Sequence, residues 1–334
     1  MTRTRVTGRI VCLIVALAVL AVLFCVSIAF GNREVSFDEI GNALFGSADT
    51  FGEAAIVKRV PRTVLAILVG AALALSGAGM QAVTRNPVAD PAILGISGGA
   101  SLAVVIGLVF FGITDPFSFI GAAIIGAALT AVFVYAIGSM GRGGATPLKL
   151  ALSGAATAAA VTCLISAVLL PRVDVMSKFQ RWQVGGVGGA DWERIGALAP
   201  VLGIGMLITF ACARGMNSLA LGDDVATGLG ENVARTRLLT GIAAVVLAGA
   251  ATAIAGPIGF VGLLVPHACR AVIGTDHRWL LPFTALVGAS LLMLSDVVGR
   301  VIARPEEVDV GVVTAIIGAP FFIWIVRRQK VREL

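Results

Sequence analysis

The sequence predicts an all-α protein that crosses a membrane about ten times. Hydrophobic residues make up 58% of the chain and charged residues only 13%, whereas an ordinary soluble domain carries about 25% charged residues. Apolar runs of roughly 20 residues recur along the chain, and a helix of that length spans about 30 Å of hydrocarbon. The runs are continuous and do not alternate as the strands of a membrane barrel do. The predicted fold class is therefore polytopic and all-helical.

Ten apolar runs are candidate spans, and no polar stretch between them is long enough to bury a core of its own. We therefore predict one transmembrane domain over residues 1–334. The first run follows a basic segment, as in a signal peptide, but it is longer than a typical signal core, and we predict a retained helix. The ten runs lie near residues 10–30, 63–83, 93–112, 117–139, 148–170, 194–213, 238–256, 257–273, 279–302 and 310–326.

The distribution of lysine and arginine predicts the orientation of these spans. With the N-terminus inside, 15 of the 25 basic residues fall in cytoplasmic segments, as the positive-inside rule requires. An even number of spans then places both termini in the cytoplasm. The basic residues are scattered over loops without interleaved aromatic residues, so we predict no nucleic-acid partner.

Several common kinds of site are missing from the sequence. No GxxxxGK[ST] loop is present, so the chain is not expected to bind ATP in that way, and we predict no cofactor of its own. His267 and His277 are isolated and are expected to make structural hydrogen bonds. The five cysteines have no metal-ligand spacing and are predicted to be packing residues. We therefore assign no catalytic or metal-binding residue.

Two hypotheses of a different class arise from short features. Gly95-Ile96-Ser97-Gly98 has the GxSG form of an intramembrane serine protease, for which His267 is the candidate base. A cation-coupled secondary transporter is the other hypothesis, and such a protein is expected to carry several buried acids. Asp296 is the only acid well inside a predicted span, which counts against that hypothesis.

Charged residues near the predicted outer face form a candidate docking surface. Arg300 follows Asp296 by four residues, so the two side chains share a helix face and are expected to pair. KRVPR, residues 58–62, immediately precedes the second span. Together with Arg300, its arginines would present a basic surface to the acidic residues of a partner.

One polar insert, LGDDVATGLGENVARTR, separates two apolar runs at residues 221–237. An aspartate N-cap predicts a short helix that ends at Gly228 or Gly230, and Asn232 or Glu231 predicts the start of a second. Two short helices joined at a glycine turn form a compact knob at the cytoplasmic surface. Such a knob is suited to transmitting force from a soluble partner.

Four long motifs resemble the FecCD family, the permease subunits of type II ABC importers for ferric siderophores, haem and cobalamin. The resemblance covers the chain from about residue 55, in order and at family spacing. The motifs are RVPRTVLAILVGAALALSGAGMQAVTRNPVADPAILG, LALGDDVATGLGENVARTR, GPIGFVGLLVPHACRAVIGTDHR and SDVVGRVIARPEEVDVGVVTAIIGAPFFIWIVRR.

The resemblance implies the type II importer permease fold, alternating access and a bacterial cytoplasmic membrane location. It implies a second permease subunit, identical or paralogous, two ATPase subunits that use ATP and Mg²⁺, and an extracytoplasmic substrate-binding lipoprotein. The expected substrate is a ferric siderophore, and haem or cobalamin is the alternative within the family. No reaction is expected on this chain itself.

The resemblance also assigns residues to three roles. Residues 220–237 correspond to the coupling helices that contact the ATPase, with Leu221, Gly222, Asp223, Asp224, Ala226, Leu229, Gly230 and Arg235 as candidates. Docking of the binding protein is assigned to Arg59, Arg62, Arg300 and Glu307. Structural or gating roles are assigned to Asn86, Pro87, Pro257, Pro266, His267 and Asp296.

Overall fold

The computed structural model of the protein describes residues 3–31, 50–92, 95–140 and 147–328. Within these ranges the chain forms thirteen α-helices and no β-strand. They are α1 Arg3–Ala29, α2 Phe51–Thr84, α3 Ile96–Phe110, α4 Pro116–Ser139, α5 Pro147–Leu169, α6 Val173–Gln183, α7 Trp192–Ala211, α8 Ala213–Leu219, α9 Asp223–Gly228, α10 Val233–Ala255, α11 Val261–Ile273, α12 His277–Ile302 and α13 Val310–Arg328.

The helices confirm the predicted all-helical membrane class. Seven of them, among the described residues, are long and apolar enough to cross a membrane, namely α1, α2, α4, α5, α7, α10 and α12. The helices α3, α11 and α13 coincide with the other three predicted runs but contain shorter apolar stretches. The count of ten spans therefore stays a prediction.

Two of the shorter helices begin directly after a residue with a left-handed backbone. Within the run near 93–112 helix α3 begins at Ile96, and within the run near 257–273 helix α11 begins at Val261. The residues just before these helices, Gly95 with φ 71° and Phe260 with φ 68°, have left-handed backbone conformations. A left-handed residue cannot belong to a right-handed helix, so each of these helices starts directly after it.

Helix α2 is the central element of the bundle. It begins with a capping box, in which Glu53 N donates to Thr50 Oγ1 at 3.2 Å and Thr50 N donates to Glu53 Oε2 at 2.7 Å. Both donors would otherwise lack an intrahelical acceptor. The helix packs against α1, α7, α10, α11 and α12, and 83% of its most apolar 18 residues are buried.

Glycine pairs bring α2 into main-chain contact with two neighbouring helices. A Cβ added to Gly70 would lie against the carbonyl oxygen of Gly288 in α12, and one added to Gly77 would lie against that of Gly262 in α11. Small residues at such crossings allow close helix packing in lipid, where the hydrophobic effect does not drive helices together. The small-residue pattern therefore fixes the position of α2 relative to α11 and α12.

The bundle has two ends, which we name from α2. The knob end is the end at which α2 terminates and α8 and α9 lie. Helix α1 begins there, since Arg9 Nη1 lies 3.7 Å from Asp276 Oδ2 at the start of α12. Helix α13 begins beside the end of α12, where Val308 N donates to Gly299 O at 3.0 Å, and runs back toward the knob end. Both terminal helices therefore lead to the knob end, and its cytoplasmic location stays a prediction.

Candidate functional site

The knob consists of residues 213–232, which include α8, α9 and the turn before α10. Gly222 with φ 107° precedes α9, and Gly230 with φ 82° follows it. Only glycine adopts such angles without a steric penalty. The next helix begins where Asn232 Oδ1 accepts a hydrogen bond from Arg235 N at 3.0 Å, which is the expected geometry of an asparagine N-cap.

The structure confirms part of the predicted knob and corrects the rest. The first predicted helix exists as α9, and its cap is Gly222, with Asp223 and Asp224 in the first turn. The second predicted helix is not a separate short one, because α10 continues from Val233 to Ala255 without a breaking residue. The preceding helix α8 was not predicted as a separate helix, because the predicted span 194–213 ends at its first residue.

The surface of the knob carries three exposed apolar residues at a spacing of four. Leu221 is 59% exposed, Val225 is 52% exposed and Leu229 is 65% exposed. We call these residues the apolar stripe. This spacing places Val225 on one face of α9 with Leu229, the residue that follows the helix. Leu221 lies on the other side of Gly222, whose φ of 107° separates it from the helix. Val225 was not among the predicted coupling residues.

The other predicted coupling residues differ in their placement. Ala226 is fully buried, and its carbonyl oxygen accepts from Glu231 N at 3.0 Å, so it anchors the knob. Asp224 and Arg235 are exposed. Asp223 is turned toward the rest of the protein, where it pairs with Arg85 and Arg237.

A second set of contacts joins the knob to α12. Asn217 in α8 donates to Asp276 Oδ1 at 2.7 Å, and its own Oδ1 accepts from His277 N at 2.9 Å. The ring Nδ1 of His277 also lies 2.8 Å from Asn217 Oδ1, which confirms the structural role predicted for this histidine. Burial by itself would raise the pKa of Asp276, but the Asn217 hydrogen bond and the nearby arginines outweigh it and lower the pKa.

At the opposite end, four charged residues form what we call the ion cluster: Arg62, Asp296, Arg300 and Glu307. Arg62 Nη2 lies 2.8 Å from Asp296 Oδ1, and Arg62 Nη1 lies 2.6 Å from Glu307 Oε2. Arg300 Nη2 lies 2.8 Å from Asp296 Oδ2, an ionic contact outside hydrogen-bond geometry. The predicted pairing of Asp296 with Arg300 is confirmed. Arg62 completes a buried bridge between α2 and α12.

Two of the predicted docking arginines are buried against α1. Arg300 Nη1 donates to Ser27 O at 3.0 Å and to Phe30 O at 3.1 Å, while Arg59 Nη1 donates to Ile28 O at 3.0 Å. The last carbonyls of a helix lack intrahelical donors and favour nearby cations. Arg59 and Arg300 are therefore only 5% and 1% exposed, and they fasten the end of α1 to α2 and α12.

The ion cluster reaches the surface through its other two members. Glu307 leaves 32% of its side chain exposed and Arg62 leaves 14%. Of the four predicted docking residues, these two are the ones that a partner could contact without rearrangement of the protein.

The break between α2 and α3 contains a buried acid that the sequence reasoning missed. Asp90 is 5% exposed, and its Oδ1 accepts from Ala92 N at 2.7 Å. Its carboxylate also accepts from the backbone N–H of Leu263, in the first turn of α11, where no side chain of α11 itself caps the helix. In the NPVADP segment, the sequence shows only that Asp90 is polar. Its contact with α11 could not be predicted, because that helix begins more than 170 residues further along the chain.

Other residues that were assigned structural roles lie around the same break and α11. Asn86 Oδ1 accepts from Val88 N at 3.1 Å, and Pro87 is exposed in this turn. Pro257 lies between α10 and α11, and Pro266 is buried inside α11. The ring of His267 contacts the edge of the Phe321 ring, with centroids 6.3 Å apart. This aromatic contact takes the place of the hydrogen bond expected for His267.

The burial of Asp90 leads to a testable pH dependence. Burial raises the pKa of Asp90 to about 6, against the opposing hydrogen bonds from Ala92 and Leu263. A raised folded-state pKa means that stability falls as the pH rises from about 4 to about 6, by up to about 3 kcal/mol. We expect Asp90→Asn to remove this fall. In thermal unfolding in detergent, the unfolding temperature of the variant relative to that of the wild type should therefore rise from about pH 4 to about pH 6.

Asp115→Asn is the matched control, because Asp115 is an exposed N-cap whose pKa is lowered by hydrogen bonds from Ser118. This variant should keep the decline that arises from Asp90. Equal pH dependence of the wild type and Asp90→Asn would contradict the assignment.

The residues of the protease hypothesis do not form a catalytic pair. Among the described hydrogen bonds, none joins Ser97 in α3 to His267 in α11, whose ring contacts Phe321 instead. The described residues also contain no cluster of three or more histidine, cysteine or acidic side chains able to hold a metal ion. All five cysteines are free thiols.

Known proteins resemble this chain in sequence and in fold. The profile of the FecCD transport family matches residues 19–328. The chain belongs to the FecCD transport family. This FecCD chain is 40% identical, over 97% of its length and 98% of the relative, to the probable siderophore transport system permease protein YfiZ of Bacillus subtilis. It is 42% identical to the ferric enterobactin transport system permease protein FepD of Escherichia coli, over 97% of the chain and 95% of that relative.

A solved structure shares the fold of the FecCD chain. A metal-chelate type ABC transporter in an inward-facing conformation superposes with a TM-score of 0.81 and 27% identity, over 96% of this chain and 99% of that chain. The predicted family and the importer permease fold are thereby confirmed. The FecCD chain is a transmembrane permease subunit of an ABC importer and not an enzyme itself, which sets aside the protease hypothesis.

Proposed function

We propose that this permease subunit carries a ferric siderophore across the bacterial cytoplasmic membrane, in an importer driven by two partner ATPase subunits. Relatives named for siderophore and ferric enterobactin transport match nearly the whole chain, which supports this substrate class. Magnesium and ATP would be bound by the partner subunits. A second permease subunit, identical or paralogous, would form the other wall of the pathway.

The apolar stripe is the observation that carries the ATPase contact. Three hydrophobic side chains that are more than half exposed lie in and beside the short helix α9. Full burial of such a side chain contributes about 1.5–3 kcal/mol, so a groove on the ATPase that covered the stripe would hold the knob firmly. The proposal assigns this contact to Leu221, Val225 and Leu229, and it places the knob end in the cytoplasm.

The opposite end is the proposed docking face for the substrate-binding lipoprotein. Glu307 and Arg62 offer one negative and one positive group at the surface, and complementary charges on a partner steer its approach and fix its orientation. Arg59 and Arg300 would support this face indirectly by fixing the end of α1 beneath it.

The transport mechanism proposed is alternating access. Force from ATP binding and hydrolysis would reach the knob through the stripe and shift the helices that pack around it. The substrate, released at the opposite end, would then pass between the two permease subunits. No bond of the substrate needs to break on this chain.

Uptake into proteoliposomes tests this function directly. The full complex would be reconstituted with the knob end and ATP inside the vesicles, and a binding protein loaded with radiolabelled ferric enterobactin, ferric hydroxamate, ferric citrate, haem or cobalamin would be added outside. We expect ATP-dependent transport of a ferric siderophore, and none when the ATPase subunits carry a mutation that blocks hydrolysis.

Two results of this assay would contradict the proposal. Transport of haem or cobalamin alone would assign the chain to another substrate class of the same family. Transport that continues without ATP hydrolysis and stops when a proton gradient is collapsed would favour the secondary transporter hypothesis.

A further inference from the structure

Three charged residues from separate parts of the chain meet beside α9. Arg85 follows the last residue of α2, Asp223 is the first residue of α9, and Arg237 lies in the second turn of α10. Arg85 Nη2 donates to Asp223 Oδ1, and Arg237 Nη2 donates to the same oxygen at 2.8 Å. One carboxylate oxygen therefore bridges two guanidinium groups. We call these three residues the Asp223 clasp.

The clasp connects the knob to the central helix of the bundle. Through Arg85, which directly follows Thr84, Asp223 joins α9 to the end of α2. Arg85 has φ 51°, a region that side-chain-bearing residues seldom adopt. This conformation ends α2 and sets the direction in which the Arg85 side chain leaves the helix.

The clasp is poorly placed to serve stability alone. The side chains of Arg85, Asp223 and Arg237 are 36%, 46% and 37% exposed. Ion pairs with this much solvent contact contribute little to folding, because water and salt screen them. The location of the clasp indicates a role beside the proposed ATPase contact, because Asp223 lies two residues from Val225 and six from Leu229 in the apolar stripe.

The rest of the path from the knob through α2 is stiff. Gly70 and Gly77 hold α2 in main-chain contact with α12 and α11, and Arg62 joins it to Asp296 at the far end. A displacement applied to the end of α2 will therefore move packed neighbours with it, since close-packed helices have little room to deform. The clasp is the point at which α9 can apply such a displacement.

We propose that Asp223 is a positioning residue that passes movement of the knob to α2 and α10, through Arg85 and Arg237. This inference rests on the proposed function and adds the route by which ATPase motion enters the membrane helices. The apolar stripe binds the partner, and the clasp ties that binding element to the transport pathway. Loss of the clasp leaves the partner bound but disconnects ATP hydrolysis from transport.

The test uses the full importer complex in proteoliposomes with the variants Asp223→Asn, Arg85→Gln and the double variant. Asp191→Asn is the matched control, because Asp191 is an exposed acid paired with Arg194, outside the knob and outside the residues assigned to coupling or docking. Three quantities are measured: co-purification of the ATPase, its rate of ATP hydrolysis, and uptake of a radiolabelled ferric siderophore that the wild type transports.

We expect Asp223→Asn to co-purify with the ATPase and to hydrolyse ATP, while uptake per ATP hydrolysed falls at least fivefold. Arg85→Gln should give a similar loss, and the double variant should lose little more than either single one, as for residues that act through one contact. Arg85→Lys, which keeps the charge, should restore part of the uptake. Asp191→Asn should behave as the wild type.

Specific outcomes overturn the inference. If Asp223→Asn and Asp191→Asn give the same uptake per ATP, the clasp has no coupling role. If Asp223→Asn loses the ATPase during purification, Asp223 serves assembly of the complex. These outcomes are distinct from failure of the proposed function, in which the wild-type complex itself shows no ATP-dependent uptake.

Discussion

Replacement of Val225 by aspartate is expected to reduce ATP-driven uptake at least tenfold and to release the ATPase subunits from the complex. Val225 is 52% exposed at the centre of the apolar stripe, between Leu221 and Leu229. A carboxylate there would be buried without a partner when the ATPase binds, and such burial costs more than the loss of the valine contact. Co-purification of tagged ATPase and siderophore uptake together measure this effect.

Thr227→Asp is the matched control for this substitution. Thr227 is also exposed on α9, but it lies two residues from Val225 and so on nearly the opposite side of the helix. The control variant gains the same charge without entering the stripe, and it should retain the ATPase. Equal loss of the ATPase from both variants would show that charge on α9, and not the apolar stripe, determines binding.

Replacement of Asp296 by alanine is expected to lower the free energy of unfolding by about 3–5 kcal/mol, the usual effect of removing one partner of a buried ion pair. The Asp296 side chain is fully buried, and it is the counter-ion of both Arg62 and the equally buried Arg300. The variant leaves Arg300 charged without an acidic contact. Thermal unfolding in detergent and yield of folded protein measure the loss.

Glu307→Gln is the comparison for this prediction, because Glu307 contacts the same Arg62 from a side chain that is 32% exposed. An ion pair open to solvent contributes about 0–1 kcal/mol, so this variant should unfold close to the wild-type temperature. Its effect should appear instead in the affinity of the binding protein. An Asp296→Ala variant as stable as Glu307→Gln would show that the cluster is not held by its buried acid.

The sequence predicted the helices well because the apolar runs are long and their periodicity needs no tertiary information. Helices α3 and α11 begin at Ile96 and Val261, directly after Gly95 and Phe260. The left-handed backbone of these two residues cannot be predicted from hydrophobicity. The pairing of Asp296 with Arg300 followed from a four-residue spacing on one helix. The approach of Arg62 depends on packing between residues that are 234 positions apart and could not be predicted.

The candidate sites show the same division between local and distant information. Local chemistry predicted the end of α9 from Gly228 or Gly230 and the start of α10 from Asn232 or Glu231, whereas the cap of α9 is Gly222 and not the predicted aspartate. Which face of α9 is exposed depends on how the knob packs, so the predicted coupling residues include buried Ala226 and omit exposed Val225. Arg59 and Arg300 were expected at the surface because of their charge. They are buried instead, where they donate to backbone carbonyls at the end of α1. The positions of charged residues in the sequence do not predict these acceptors.

The glycine crossings along α2 limit how this chain can diverge in evolution. At Gly70 with Gly288, and at Gly77 with Gly262, both partners already have no side chain. A larger residue on one helix therefore cannot be compensated by a smaller one on the other. Exposed positions such as Leu129 and Ile204 carry no such restriction. Substitutions will accumulate on the outer surface of the bundle, while the crossings of α2 must be inherited almost unchanged.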